Sequence, residues 1–297
     1  MMTRKKAIIL LIMTSVLWSI GGLFIKLIDL NPIAIAGLRS GIAALVMLVY
    51  LRRPTIRLDK INILGAIAYA STLLCFVGAN KLTSSANAIF LQYTAPIWVM
   101  LFTALIYKEK PRKSDVLVIL VVLSGMALFF TGNFGPGSTV GNVVALFSGF
   151  FMAAMVIFFK HTVGAAVEIT FLGNILAFLF SVPFLPRKIP DQTTILCLLI
   201  LGIFQLGFSY ILYTIAIKHV SSLEGILIPV IEPLLNPIWV LLFTGEKMSV
   251  YSLLGGLIII TAVVIHQIRA ARTIKAETLI ISDEEINKTK IPEMINV

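Results

Sequence analysis

Two matching stretches of sequence decide the fold. Ser221 to Lys247 reads SSLEGILIPVIEPLLNPIWVLLFTGEK, and Ser84 to Lys110 reads SSANAIFLQYTAPIWVMLFTALIYKEK. Both are apolar enough to lie in lipid, yet the later stretch carries Glu224, Glu232 and three prolines. A carboxylate and a helix-breaking proline are each costly inside a membrane-spanning helix. Residues kept there at that cost point to a function within the membrane.

The composition is that of a helical membrane protein. The 297 residues are 59% hydrophobic and 13% charged, with a mean hydropathy of +1.01, whereas soluble domains carry about 25% charged residues. Apolar runs of about 20 residues, the length that an α-helix needs to cross a bilayer, follow one another with short loops between them. The net charge of +10 does not indicate nucleic-acid binding, because the basic residues lie in short clusters beside the apolar runs.

The apolar runs predict an all-α polytopic membrane protein with ten transmembrane helices. The first run has spanning length and no small-residue cleavage site, so it is a span rather than a signal peptide. The polar residues 271–297 predict a disordered tail. The ten spans are 7–28, 33–51, 61–80, 84–107, 114–131, 140–160, 168–186, 193–216, 222–243 and 250–269.

The basic residues predict the orientation. Most Lys and Arg residues fall in loops on the same side as the N-terminus. Because cytoplasmic loops are enriched in positive charge, we expect both termini and the tail in the cytoplasm, with the chain in the cytoplasmic (cell) membrane.

The second half of the chain repeats the first at a constant offset of 137 residues. Five spans per repeat is an odd number, so the second copy enters the membrane from the opposite side. Inverted repeats place a binding site near the bilayer midplane and interconvert by rocking of one half against the other. We assign repeat 1 to 7–131 and repeat 2 to 140–270. The most telling matches are Lys81/Lys218, Ser84/Ser221, Ser85/Ser222, Pro96/Pro233, Glu109/Glu246 and Lys110/Lys247.

These motifs, with Trp18, Gly21-Gly22, Lys26 and Arg39 in the first two spans, resemble the EamA family of the drug/metabolite transporter superfamily. The resemblance covers about residues 7 to 270. It implies export or exchange of small metabolites, amino acids or organic cations. It also implies a central cavity lined by spans 1, 3, 4, 6, 8 and 9, with spans 5 and 10 as scaffold.

Glu232 and Arg39 are the main charged candidates for the site. Glu232 lies about 15 Å into the ninth span, near the midplane. One interpretation is that it binds a cationic substrate or a proton. The other is a structural carboxylate, which forms an ion pair with Arg39 or hydrogen bonds to backbone groups that the prolines leave without partners. Arg39 binds an anionic substrate group, reaches Glu232, or extends to the headgroups.

The prolines of the ninth span free backbone carbonyls. Because Pro229, Pro233 and Pro237 lack N–H groups, the carbonyls of Gly225, Pro229 and Pro233 lose their helical donors. In the membrane those oxygens need donors from protein or cavity water. Our hinge or gate candidates are Pro96, Pro229, Pro233, Pro237, Glu109 and Glu246.

Polar and aromatic residues complete the predicted site. Asn236 continues a polar stripe with Glu232 at a spacing of four residues. Aromatic and amide side chains suit stacking and hydrogen bonding to a small substrate. The further candidates for substrate binding or coupling are Trp18, Tyr69, Gln92, Tyr93, Gln205, Tyr210 and Tyr213.

These observations predict a secondary transporter that exports small organic metabolites such as amino acids, amines or drug-like compounds. We expect no cofactor, no metal and no nucleic acid. The expected partners are a small-molecule substrate, membrane lipid and protons as coupling ion, and a homodimer is one possible assembly. A flippase for lipid- or polyprenyl-linked substrates is the alternative of the same fold. An intramembrane enzyme is disfavoured, because the sequence has neither GxSxG nor HExxH.

Overall fold

A computed structural model describes residues 2–83, 85–108, 112–129, 131, 138–163, 166–235, 250–251, 253–266 and 268–269. Every regular element in these parts of the chain is a helix. In order they are α1 (Arg4–Ser19), α2 (Gly21–Leu27), α3 (Pro32–Leu51), α4 (Lys60–Leu82), α5 (Ser85–Gln92), α6 (Ala95–Tyr107), α7 (Lys113–Phe129), α8 (Thr139–His161), α9 (Ala166–Ser181), α10 (Gln192–Ile200), α11 (Ser209–Ile217), α12 (Ser222–Leu227) and α13 (Leu253–His266).

Seven helical segments within the described residues are long and apolar enough to cross a membrane, and α13 is a shorter apolar helix. The protein is therefore an integral membrane protein. The described helices coincide with the predicted spans to within a few residues. The last part of the predicted ninth span, from residue 236, and the predicted tail lie outside the described residues. The seven segments are Arg4–Leu27, Pro32–Leu51, Lys60–Leu82, Asn87–Ile106, Thr139–His161, Ala166–Phe184 and Gln192–Ile217.

Side-chain caps begin several of these helices. The Asp59 carboxylate accepts the backbone N–H of Asn62, and the Asp191 carboxylate accepts those of Thr193 and Thr194. The first backbone N–H groups of a helix have no partner within it, so such caps satisfy donors that would otherwise be left open. These polar residues fix where the apolar spans start.

Several membrane segments are interrupted near the middle. The segment α5–α6 breaks in a turn at 93–94, directly before Pro96. The segment that starts with α12 passes into a 3₁₀ turn at Ile228–Val230 and is helical again at 231–235. At the offset of 137 residues the turn at 93–94 corresponds to 230–231, so the two breaks overlap at one position. A third segment has a π-helix at Leu201–Phe208, between α10 and α11. Such irregular turns within a span often mark functional sites.

The contacts between the two halves of the chain occur in matched pairs. Helix α4 packs on α8 and α9, and the equivalent helices of the other half pack likewise, α11 on α1 and the π-helix on α3. The segments α5 and α6 pack on α8, as the 3₁₀ turn packs on α1. Helices α3 and α9, which hold equivalent places, pack on each other. The central interface is therefore built from both halves alike.

Gly149 of α8 lets the break of α5–α6 approach closely. A Cβ atom at this position would lie 2.6 Å from the Gln92 carbonyl oxygen and 3.2 Å from the Thr94 hydroxyl. Because the nearest atom belongs to the backbone, it cannot rotate away.

We therefore expect Gly149→Ala to reduce stability by about 1–3 kcal/mol through overpacking. Gly22→Ala is the matched control, because a Cβ atom there would meet nothing within 4 Å and both variants gain the helix propensity of alanine. Thermal unfolding in detergent measures the difference. Equal melting temperatures for the two variants would contradict this packing.

Candidate functional site

A small cavity of about 30 Å³ lies in the middle of the bundle. That volume holds about one or two water molecules. Six residues predicted from the sequence line it: Trp18, Arg39, Gln92, Gln205, Tyr210 and Glu232. The other lining residues are Thr72, Leu73, Phe76, Met152 and Leu206.

Arg39 is fully buried at this cavity, with 0% of its surface exposed. Its Nη1 donates to Oε1 of Gln205 at 3.0 Å. Within the described part of the chain, Nε and Nη2 of Arg39 have no acceptor. The sequence allowed an ion pair with Glu232 or an extended reach to the headgroups, and the structure shows neither. Arg39 instead presents a buried positive charge beside the cavity.

Glu232 is bound by a tyrosine from the other half of the chain. The Tyr93 hydroxyl lies 2.8 Å from Oε2 of Glu232 and 2.7 Å from the carbonyl oxygen of Pro229. Tyr93 is fully buried, and it occupies the break of its own segment. The two broken segments therefore meet at their breaks.

The sequence predicted that carbonyls whose helical donor is replaced by proline need a donor from elsewhere. The structure confirms this at two positions. Tyr93 donates to the Pro229 carbonyl, which lacks a helical donor because residue 233 is proline. Tyr213 donates at 3.0 Å to the Gly225 carbonyl, which lacks one because residue 229 is proline. The third carbonyl depends on residue 237, outside the described residues.

Two predicted tyrosines support the cavity from behind rather than line it. The ring of Tyr69 packs edge-on against Tyr210, with 4.7 Å between centroids, and its hydroxyl accepts from Nδ2 of Asn174 at 3.0 Å. The ring of Tyr213 lies 5.2 Å from that of Trp18. These contacts hold the rings of Trp18 and Tyr210 in place.

Small hydroxyl residues at the site were missed from the sequence. Trp18 donates from Nε1 to the Ser209 hydroxyl at 2.9 Å, and Gln92 donates from Nε2 to the Ser148 hydroxyl at 2.7 Å. Ser209 and the cavity residue Thr72 occupy equivalent positions at the offset of 137 residues. Extending the repeat comparison to isolated polar residues within spans could have found this pair.

Four predicted residues lie outside the described residues. They are Asn236, Pro237, Glu109 and Glu246.

A second cavity, of about 1,170 Å³, lies at the end of the bundle where Arg4 is found. Its walls come from α6, α7, α12 and α13, and from the ends of α1, α8 and α11. None of its residues lines the central cavity. The resemblance implied that spans 5 and 10 are peripheral scaffold, and α7 and α13, which fall in these spans, line this second cavity rather than the central one. The basic residues at its wall are Arg4, Arg112, Lys160, Lys218 and Arg269.

Contacts at the two ends of the bundle join the halves differently. At the N-terminal end Arg4 pairs with Glu224, whose other oxygen accepts the Ser221 N–H in a capping box. At the opposite end Asn87 donates at 3.4 Å to Asn142. Glu224 and Asn87 are equivalent at the offset of 137 residues. One end is thus joined by an ion pair and the other by neutral hydrogen bonds.

Lysines tie neighbouring segments together within each half. Lys81 donates to the Ile28 carbonyl at 2.5 Å, and the equivalent Lys218 donates to the Thr162 carbonyl at 2.6 Å. Lys218 follows the end of α11, where burial and then the charge of Lys160 lower its pKa. Each half therefore has its own lysine contact, at opposite ends of the bundle.

Comparison with known proteins assigns the family. The sequence matches the EamA-like transporter family twice, over residues 5–131 and over 139–266. The chain belongs to the EamA-like transporter family. The family and its named relatives are transporters and not enzymes.

Curated relatives match over most of their length. An uncharacterized transporter of Archaeoglobus fulgidus is 25% identical over 88% of this chain and 96% of its own. The pseudopaline exporter CntI of Pseudomonas aeruginosa is 25% identical over 87% of this chain and 94% of its own. A crystal structure of a protein superimposes with a TM-score of 0.76 at 20% identity, over 91% of this chain and 99% of that one. This last likeness concerns the fold.

The hydrogen bond from the buried Arg39 guanidinium to Gln205 gives a stability prediction. We expect Gln205→Glu to keep or raise the melting temperature, because a carboxylate at Oε1 would accept a charge-assisted hydrogen bond from the guanidinium.

Gln92→Glu is the matched control, since it faces the same cavity but contacts the Ser148 hydroxyl. We expect this variant to lose stability by about 1–3 kcal/mol, because a carboxylate cannot donate to the Ser148 hydroxyl as the Gln92 amide does, and the structure shows no hydrogen bond from Arg39 to position 92. Thermal unfolding of the two purified variants compares them. Equal destabilisation by both would show that the charge of Arg39 does not act at position 205.

Proposed function

We propose that the protein is a secondary transporter with ten spans in two inverted repeats, which exports small organic metabolites by alternating access. The matched contacts between the halves and the broken helices that meet at mid-bundle support this architecture. Export is supported by the similarity to an exporter. The distribution of basic residues supports termini in the cytoplasm and a place in the cytoplasmic membrane.

The observation that carries the proposal is an arginine and a glutamate that line one cavity. The other residues that line this cavity include two amides, Gln92 and Gln205, and three aromatic side chains, Trp18, Phe76 and Tyr210. An Arg fork suits a carboxylate, and a carboxylate suits an ammonium group. The substrate class that fits is a small zwitterionic metabolite, such as an amino acid or an amino-carboxylate compound.

Binding such a substrate requires the cavity to widen. Ligand sites usually enclose about 300–1,000 Å³, whereas this cavity has about 30 Å³. The halves must therefore separate at one end to admit a substrate. The Arg4–Glu224 ion pair and the Asn87–Asn142 contact are the closures that we assign to the two ends.

A second candidate is favoured by the larger cavity. Part of its wall is apolar, with Leu117, Val118, Leu257 and Ile265. Five Lys and Arg residues also line it, with Asp115 and Glu224 as the acidic ones. That combination suits an amphiphile with an anionic head, as a flippase for lipid- or polyprenyl-linked substrates would bind. The class of compound exported distinguishes the two candidates.

We expect cells that express the protein to release zwitterionic metabolites into the medium, and cells that express Glu232→Gln not to. Glutamine keeps the size and hydrogen bonding of the side chain but removes its charge. A metabolite screen of the two media measures the difference, and membrane extraction verifies equal protein amounts. Equal efflux from the two strains would remove Glu232 from transport, and a lipid-linked export product would favour the flippase.

We expect Arg39→Gln to weaken transport of zwitterions by about tenfold or more, because the substrate carboxylate loses a charge-assisted hydrogen bond from the guanidinium. Esters of the same compounds, which lack the carboxylate, should be affected much less. Flux into proteoliposomes with each compound gives the ratio. An equal loss for acid and ester would show that Arg39 does not bind the carboxylate.

A further inference from the structure

The Tyr93 hydroxyl has one proton and two acceptors. Its oxygen lies 2.7 Å from the Pro229 carbonyl oxygen and 2.8 Å from Oε2 of Glu232. A phenol donates a single hydrogen bond and can accept others. The two contacts are both hydrogen bonds only if one partner supplies a second proton.

Glu232 is the partner that can supply it. A protonated carboxyl group donates to the Tyr93 oxygen, and Tyr93 then donates to the Pro229 carbonyl. An ionised carboxylate only accepts, so it competes with the carbonyl for the tyrosine proton. It wins that competition, because a hydrogen bond to a charged group is roughly twice as strong as a neutral one.

When Tyr93 no longer donates to the Pro229 carbonyl, that carbonyl has only a poor replacement donor. Its helical donor would be the N–H of residue 233, which is proline. The nearest backbone N–H, that of Ile231, is shared with the Ile228 carbonyl in the 3₁₀ turn. An unpaired carbonyl at membrane depth is costly, so the turn must rearrange when Tyr93 leaves it.

We infer that Tyr93 transmits the protonation state of Glu232 to the break at Pro229, and so couples proton binding to the opening of the two halves. The inference rests on the proposed transport function and names its coupling ion. The proton leaves Glu232 toward the central cavity, which that residue lines. Tyr93 belongs to the first half and Glu232 to the second, so the link crosses the interface that must move.

The other groups around Glu232 are placed differently. Arg39 and Tyr210 line the same cavity, but Arg39 donates to Gln205. Helix α1 contributes Trp18, which does not titrate, to the cavity. Tyr213 binds a freed carbonyl of the same segment, that of Gly225. Among the hydrogen bonds of the described residues, those of the Tyr93 hydroxyl join Glu232 to the break at Pro229.

Tyr213 provides the matched control. Tyr213→Phe and Tyr93→Phe each remove one buried hydroxyl that donates to a proline-freed carbonyl. Only Tyr93→Phe also removes a contact with Glu232. Glu232→Gln is the complementary variant, because its amide N–H donates to Tyr93 at every pH.

The experiment measures amide hydrogen exchange of a peptide covering 222–235, with the whole protein in nanodiscs. The probe is the proton alone, from about pH 5 to about pH 8, and rates are corrected for the intrinsic pH dependence of exchange. For the unaltered protein and Tyr213→Phe we expect exchange at least about fivefold faster when Glu232 is ionised, the lower end of typical coupling between sites. In Tyr93→Phe the difference should vanish, and in Glu232→Gln exchange should stay slow throughout.

Two results would overturn the inference. One is a pH-dependent difference that persists in Tyr93→Phe or in Glu232→Gln. The other is an unaltered protein whose corrected exchange does not change with pH. Infrared difference spectra give a second readout, in which the carboxyl band of Glu232 should shift in Tyr93→Phe and not in Tyr213→Phe. Neither measurement needs a substrate, so failure here leaves the efflux test of the proposed function unaffected.

Discussion

A backbone carbonyl inside the membrane must have a hydrogen-bond donor, and much of this structure follows from that requirement. The prolines of the segment that begins with α12 remove the donors of Gly225 and Pro229. Tyrosines 213 and 93 replace them from neighbouring segments. Because one of these tyrosines comes from the other half of the chain, a local defect in one helix becomes a contact between the halves. Glu232, which Tyr93 also contacts, lines the central cavity.

The two halves share a frame but differ in charge. Equivalent lysines each bind a backbone carbonyl of their own half, at opposite ends of the bundle, and equivalent segments break at overlapping positions. The two halves differ in their charged residues, because Glu224 and Glu232 of the second half correspond to the neutral residues Asn87 and Ala95 of the first. Because the helices of the two halves are arranged alike, the bundle can adopt two related conformations. Charged residues that occur in one half only make the two conformations differ in their electrostatics. The proposed coupling uses this difference.

Much of the frame could be predicted from the sequence, because membrane-spanning length and helix breakers are local properties. The spans, the position of the breaks and the need for donors at Gly225 and Pro229 all follow from residue type and spacing. Six cavity residues were also found, since polar and aromatic residues inside apolar runs are few. The pairing of Arg39 with Glu232, one of the alternatives that the sequence left open, is not formed in the structure, for a reason that spacing does not contain. Two helices that line one cavity can place their charges on separate walls, and Gln205 on the π-helix is the nearer partner of Arg39.

The sequence by itself determined a membrane protein built from two related halves, with a carboxylate and helix breaks at mid-membrane, because hydrophobic runs and prolines act through the backbone nearby. Only the tertiary structure decided which side chains replace the lost donors. That choice depends on which helices pack together, and Tyr93 meets Pro229 and Glu232 from 136 and 139 residues away. A hydrogen bond reaches only about 3 Å, so the pairing is fixed by packing and cannot be read from any single stretch of the chain.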